Sequence, residues 1–341
     1  MNRSKELRSG SDVKSNPMGT RPAVSFVLIV YSMPEQAKKT IASLLADYQI
    51  GICQLDYELI IVENFSANTL PPDYINSLPE NVSYYLRENP ESSPGPAINF
   101  GAGLATGDNI CIMIDGARML TPGVVKNIIR GHRITQGAVV TVPGYHLGFE
   151  LQQDAVGSGY GVEEEVQLLD SIDWPRNGYR LFDISCFSGS CIPGFFLPNS
   201  ESNCISIPRD IWERLGGCDI RFDMRGGGLI NLDLYKRACE FPGVQHVILP
   251  GEGTFHQFHG GVTTGGEQSD IREAYIEASK AQYRQLRGQE HANPSTTPIY
   301  LGEFPEQVQK FIYDSSRKNM AFRGETPRAT MESSFSEVNV S

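Results

Sequence analysis

Between residues 24 and 142, short apolar runs rich in β-branched residues alternate with segments of helical spacing. The runs are Val24–Val30, Tyr57–Val62, Val82–Leu86, Asn109–Ile114 and Ala138–Val142. The helical segments are Pro34–Tyr48, with Ile41, Leu44, Leu45 and Tyr48 on one face, then Pro96–Ala105 and Val124–Gln136. Near-continuous apolar strands separated by helices predict a doubly wound, mostly parallel α/β sheet. Such sheets bind ligands beyond the carboxyl ends of their strands. The rest of the chain is less regular. Residues 144–198 are rich in Gly and aromatics and show no clear period, whereas 209–215, 232–240 and 268–287 read as helices. The expected organisation is one domain in two parts, 22–143 and 144–317, between a disordered leader (1–21) and a disordered Ser-, Glu- and Thr-rich tail (318–341).

The net charge is −11 and the sequence pI about 5.1, which disfavours nucleic acid as a partner. A small phosphate-bearing ligand stays open, because a local site or a metal overrides the net field. Seven Cys without a C-x-x-C read as reduced, mostly buried thiols rather than a zinc knuckle. The polar N-terminus has no apolar core of a signal peptide, and no run approaches a membrane span. The expectation is a cytoplasmic protein, with peripheral attachment to the inner membrane as the alternative.

Polar residues follow three of the strands: Tyr31-Ser32, Glu63-Asn64-Phe65-Ser66 and Asp115-Gly116-Ala117-Arg118. Together with Ala97-Ile98-Asn99-Phe100-Gly101 and Ala105-Thr106-Gly107, the order resembles family 2 glycosyltransferases of the GT-A type. The likeness is close over 24–125 and looser through Gly226–Arg237. It implies a single Rossmann-like GT-A domain whose first part binds a nucleotide-diphospho-sugar and whose loop-rich second part binds the acceptor. By resemblance Tyr31, Glu63 and Asn64 hold the base and ribose, with Asn99 also on the donor side; Arg118, next to the metal motif, is positioned to contact phosphate or else to pair with a nearby acid. Asp115 serves the metal or the ribose at the diphosphate. The chemistry agrees, since a divalent cation (Mn2+ or Mg2+) on oxygen ligands neutralises a departing diphosphate. A turn or cap after the strand is the structural alternative for Glu63 and Asn64.

The chain departs from the family in two places. Ala117 stands where the metal motif has a second acid, so another residue must complete the site. His256 and His259, in a Gly-rich stretch, are the candidate metal ligands, imidazole being a good donor for such ions. Residues three apart in an extended loop face opposite sides, so a single ligand is expected, His259 being favoured; structural hydrogen bonding is the alternative for both. At Gly226–Arg237, Ile230-Asn231 replaces the family's Glu-Asp pair. Asn231 is no base. Asp233 remains for that role, with simple helix N-terminal charge stabilisation equally open, and Glu201 offers another carboxylate. Retaining chemistry and lost catalysis are the other readings of this change. Tyr145, His146, Trp174 and Tyr179 are candidates for stacking on a sugar, or else core aromatics.

These readings predict a glycosyltransferase using a UDP- or GDP-linked donor and a glycan, lipid-linked glycan or small-molecule hydroxyl acceptor, with polysaccharide biosynthesis the family's common setting. The rival is a non-catalytic nucleotide-sugar-binding or scaffold protein. A P-loop and a dinucleotide fingerprint are both absent from the sequence.

Overall fold

The computed structural model describes residues 21–259 and 269–325. Its first part contains β1 (Val24–Tyr31), α1 (Pro34–Leu44), β2 (Tyr57–Asn64), α2 (Pro72–Ser77), β3 (Val82–Arg87), α3 (Gly95–Leu104) and β4 (Asn109–Met113). Then come β5 (Arg118–Leu120), α4 (Val124–Ile134), β6 (Ala138–Thr141), β7 (Gly144–Leu147), α5 (Gln152–Ala155), α6 (Val162–Ile172) and β8 (Ser185–Phe187). The chain continues through β9 (Ile205–Pro208), α7 (Arg209–Leu215), α8 (Ile230–Cys239), β10 (Gln245–Ile248) and β11 (Thr254–His256). It closes with α9 (Ser269–Arg287), β12 (Ile299–Tyr300) and α10 (Gln309–Phe322). Except for Arg21, the expected leader lies outside the described residues, as does the chain beyond 325. The expected tail begins too early, because residues 318–322 complete α10.

The main sheet has eight strands in the order β12-β10-β6-β9-β4-β1-β2-β3. All its pairings are parallel except those of β9, which runs antiparallel between β4 and β6. The start of β9 therefore lies at the same edge as the ends of β4 and β6, with Ile205 opposite Ile112 and Thr141.

Period-two alternation divides each central strand between two cores. Val24, Phe26, Leu28 and Val30 of β1 join Tyr57, Leu59 and Ile61 of β2 under α1 and α4. Val27, Ile29, Ile60 and Val62 face the other way, with α3, α7 and α8. A side chain at Gly101 would collide with Val27 and Val62, so glycine lets α3 lie directly on β1 and β2.

The segment without a readable period contributes β7 and β8 to a second sheet, β5-β11-β7-β8, which β5 and β11 complete from either side of it in the chain. Its register produces two rows of side chains. Met119, Phe255, Tyr145 and Phe187 are successive partners, as are Arg118, His256, His146 and Cys186. Paired residues share a face and neighbouring rows oppose each other. The first row is buried in an aromatic core, where the Tyr145 ring lies 5.1, 5.2, 5.1 and 4.8 Å from Phe182, Phe187, Phe255 and Phe311. Each such ring pair adds ~0.5–1.5 kcal/mol beyond area burial. The second row carries the chemistry.

Candidate metal centre and donor cleft

Asp115 lies two residues past the end of β4, where the chain crosses the β1 edge. A Cβ on Gly116 would stand 3.0 Å from the Ile29 carbonyl oxygen, which keeps that crossing close. The Ala117 backbone N–H donates to Asp115 Oδ1 (2.9 Å), orienting the carboxylate and leaving Oδ2 inward. Oδ2 lies 3.1 Å from His256 Nε2, 3.8 Å from His259 Nε2 and 3.4 Å from Arg118 Nε. The two Nε2 atoms are 3.1 Å apart.

The expectation that the two histidines face opposite sides is corrected by the turn after β11. Gln257 N donates to Ala117 O (2.9 Å), and the Gln257 amide donates to Gln36 O and Thr40 Oγ1 (both 3.1 Å). Phe258 N then donates to Glu165 Oε2 at 2.6 Å, while Phe258 O accepts from Gln36 Nε2 at 2.9 Å. Fixed on both sides, the backbone doubles back and returns His259 to His256.

The electrostatics follow from burial and proximity. Burial opposes the Asp115 charge, yet His259 beside it holds its carboxyl well below the usual range. Burial and the Arg118 charge push His256 down to about 4, so it is neutral near pH 7. His259 is raised, Asp115 outweighing its burial. Glu165, beneath the turn, is pushed up to about 7 by burial.

The donor set fits a divalent cation. One carboxylate oxygen and two imidazole nitrogens lie within 4.8 Å of one another. Separations of 3.1, 3.1 and 3.8 Å suit three donors around one ion at ~2.1 Å. Arg118 points to an anion as well. It is 8% exposed, and its Nε and Nη1 are buried without hydrogen-bond partners. Nε is ion-paired with Asp115 at 3.4 Å, which leaves Nη1 as the buried donor without a partner; such a donor is costly, and a phosphate matches guanidinium geometry.

Along the same edge, Tyr31, Asn64 and Arg87 are register partners across β1, β2 and β3. Tyr31 is 52% exposed, and Asn64 Oδ1 accepts from Arg87 Nη1 at 3.3 Å. Glu63 needs correction as a donor contact. Strand β2 continues to Asn64, so Glu63 still obeys the alternation and shares the face of Leu59 and Ile61. Its buried carboxylate accepts from Tyr84 OH at 2.6 Å and from Leu70 N at 3.1 and 3.2 Å. Burial raises its pKa. Asn99 is likewise engaged within the protein, with Nδ2 donating to Cys218 O and Oδ1 accepting from Cys218 N, both at 2.9 Å.

On the acceptor side, Asp233 is 1% exposed and tied to Arg237 and Arg287, which corrects its assignment as a base. Asn231 Nδ2 donates to Glu201 Oε2 (2.6 Å) and Asn203 Oδ1 (3.3 Å). Glu201 and Asn203 precede β9 and so stand at the carboxyl edge of β4 and β6. Among the described residues Glu201 has no ion-pair partner.

The sugar-stacking candidates prove to be packing groups. Tyr145 is fully buried and His146 buried beside His256. Trp174 meets Tyr48 edge-on at 5.8 Å, and Tyr179 OH donates to buried Glu252 at 3.1 Å. Sequence reasoning missed Gln36, Gln152, Glu165 and Gln257, all of which support the two histidines. Gln152 and Glu165 fall where the sequence has no readable period, and nothing there marked them.

The sequence model of glycosyl transferase family 2 matches residues 25–160, from the first strand through the helix that follows β7. No curated protein sequence matches the chain. Among solved structures, residues 1–349 of TarS from S. aureus give a TM-score of 0.46 at 11% identity, covering 91% of this chain and 76% of that one. The mannosyltransferase PcManGT of Pyrobaculum calidifontis, solved with GDP-Man and Mn2+, gives 0.45 at 13% identity, covering 89% and 71%. No helix of the described residues is long and apolar enough to cross a membrane.

Proposed function

We propose that this chain is a family 2-like glycosyltransferase with a GT-A type fold, and that it moves a sugar from a nucleotide-diphospho-sugar to a hydroxyl acceptor with a divalent cation, Mn2+ or Mg2+, at Asp115, His256 and His259. The observation that carries this reading is the convergence of Asp115 Oδ2 with both Nε2 atoms at 3.1 and 3.8 Å. The histidines supply the donors that Ala117 does not. A cation bound there offsets the charge that develops on the leaving diphosphate.

The protein's own residues do the rest. Arg118, ion-paired with Asp115 through Nε, lends its unpartnered Nη1 to the same phosphates. Tyr31 and Asn64 flank the base and ribose of a UDP- or GDP-linked donor. Glu201, held by Asn231, accepts the proton of the acceptor hydroxyl, the task that Asp233 is too firmly ion-paired to perform. The acceptor is a glycan, a lipid-linked glycan or a small hydroxyl compound, and polysaccharide assembly in the cytoplasm is the setting that suits it.

Thermal melting with UDP and GDP, each with and without Mn2+, tests the donor site. Saturating ligand at ~100 times its dissociation constant adds roughly 2.7 kcal/mol. A rise for one nucleotide that needs Mn2+ and disappears in Asp115→Asn supports the reading. No rise with either nucleotide refutes it.

A further inference from the structure

Gln152 opens the four-residue α5, is completely buried, and touches both inner histidines of the polar row. Its amide NH2 donates to His256 O at 2.9 Å and faces Leu147 O at 3.5 Å. Carbonyl oxygens only accept, so the NH2 end of the amide must point toward them. The Oε1 end is thereby fixed on His256 Nδ1, 2.6 Å away. An amide oxygen only accepts, so His256 Nδ1 carries the proton and Nε2 carries the lone pair. That lone pair faces Asp115 Oδ2 and His259 Nε2, each at 3.1 Å. The same residue acts oppositely on its other neighbour. Gln152 N–H donates to His146 Nδ1 (3.1 Å), which must therefore accept and keep its proton on Nε2.

We infer that Gln152 is a positioning residue that holds His256 in the Nδ1–H tautomer, with Nε2 free to bind a cation beside Asp115. The amide has no freedom to flip, because a flip would set its oxygen against the His256 carbonyl and its NH2 against a proton-bearing Nδ1. Partners behind a ligating histidine typically govern metal affinity by 10–100-fold. The cation arm of the inference rests on the site reading above, whereas the tautomer arm does not.

The test is 15N NMR of metal-free, histidine-labelled protein at pH 8, with His256 assigned from His256→Gln. The chain has six histidines, so the spectrum is tractable. Wild type is expected to show a protonated Nδ1 and an unprotonated Nε2 at His256, and the reverse at His146. Gln152→Leu is expected to lose the His256 pattern and to bind Mn2+ 10–100-fold more weakly by titration calorimetry. A wild-type His256 protonated on Nε2 overturns the inference, as does a Gln152→Leu protein with unchanged pattern and affinity. The expected tautomer in a wild-type protein that binds no Mn2+ upholds the positioning role and removes the cation reading instead.

Discussion

Arg287 grips Asp233 at two points, with Nε 2.6 Å from Oδ1 and Nη2 2.8 Å from Oδ2, joining the last turn of α9 to the first turn of α8. Arg237 adds a third donor at 2.7 Å. A carboxylate buried in this way is a structural clasp. Asp233→Ala removes the acceptor shared by two guanidinium groups, of which Arg287 keeps Asp219 and Arg237 keeps the Leu215 and Gly217 carbonyls, so the cost should lie at or below the ~3–5 kcal/mol of breaking a fully buried pair. The expected result is a large fall in the urea midpoint with kcat per folded molecule changed only a few-fold. Total loss of turnover in a protein shown to be folded would return Asp233 to the chemistry.

Glu63 and Asn64 are adjacent in sequence but belong to opposite faces of β2. Glu63→Ala leaves Tyr84 OH and Leu70 N without their acceptor, and an unsatisfied buried group costs ~1–3 kcal/mol. Stability should fall by about that much while KM for the donor changes little. Asn64→Ala should do the reverse, raising donor KM several-fold with a smaller loss of stability. Paired melting and kinetic measurements on the two variants check this exchange of roles.

The central sheet was legible because its strands are buried on both faces and announce themselves as apolar runs. Asp115 was legible because it follows such a run directly. Three features hid the remainder. Strand β2 runs two residues further than its apolar stretch, so Glu63 reads as a loop residue when alternation has already turned it into the core. The second sheet is made of strands of three or four residues, too short to show a period. The convergence of His256 and His259 depends on hydrogen bonds to Gln36 and Glu165, 222 and 93 residues away in the chain. No local spacing rule contains contacts of that range.

His246 gives a pH dependence remote from the metal centre. It is 5% exposed, with Nε2 2.9 Å from Thr141 Oγ1 and Nδ1 3.2 Å from Thr296 Oγ1. Burial pushes its pKa down from 6.5 to about 4. Between those values the unfolded chain binds the proton and the folded protein does not, so stability rises with pH across the window. The contribution is complete above pH 6.5 and is lost as pH falls toward 4, by at most roughly 3 kcal/mol at 1.36 kcal/mol per unit. Unfolding free energies measured from pH 7.5 to 4 should slope less in His246→Asn than in wild type. Parallel slopes would show that the folded protein accommodates the charged imidazole.

Arg118 offers a way to test the proposed cation and phosphate sites apart. Its guanidinium Nε stands 3.4 Å from Asp115 Oδ2 and competes with any cation for that oxygen, while the buried Nη1, which has no hydrogen-bond partner, is the donor left for an anion. Replacing it with an uncharged residue of similar length removes both effects, which have opposite signs. In Arg118→Met, Mn2+ alone should bind more tightly, by up to about 10-fold, since the loss of one nearby positive charge is worth on the order of 1 kcal/mol at a partly screened site. The nucleoside diphosphate should bind at least 10-fold more weakly even with Mn2+ saturating, because charge-assisted hydrogen bonds to phosphate contribute ~1.5–3 kcal/mol. Calorimetric titration of metal alone, then of nucleotide at fixed metal, reads the two terms separately. If both affinities fall together, Arg118 acts by holding Asp115 in place; if metal tightens while nucleotide weakens, it is the phosphate contact of the donor cleft.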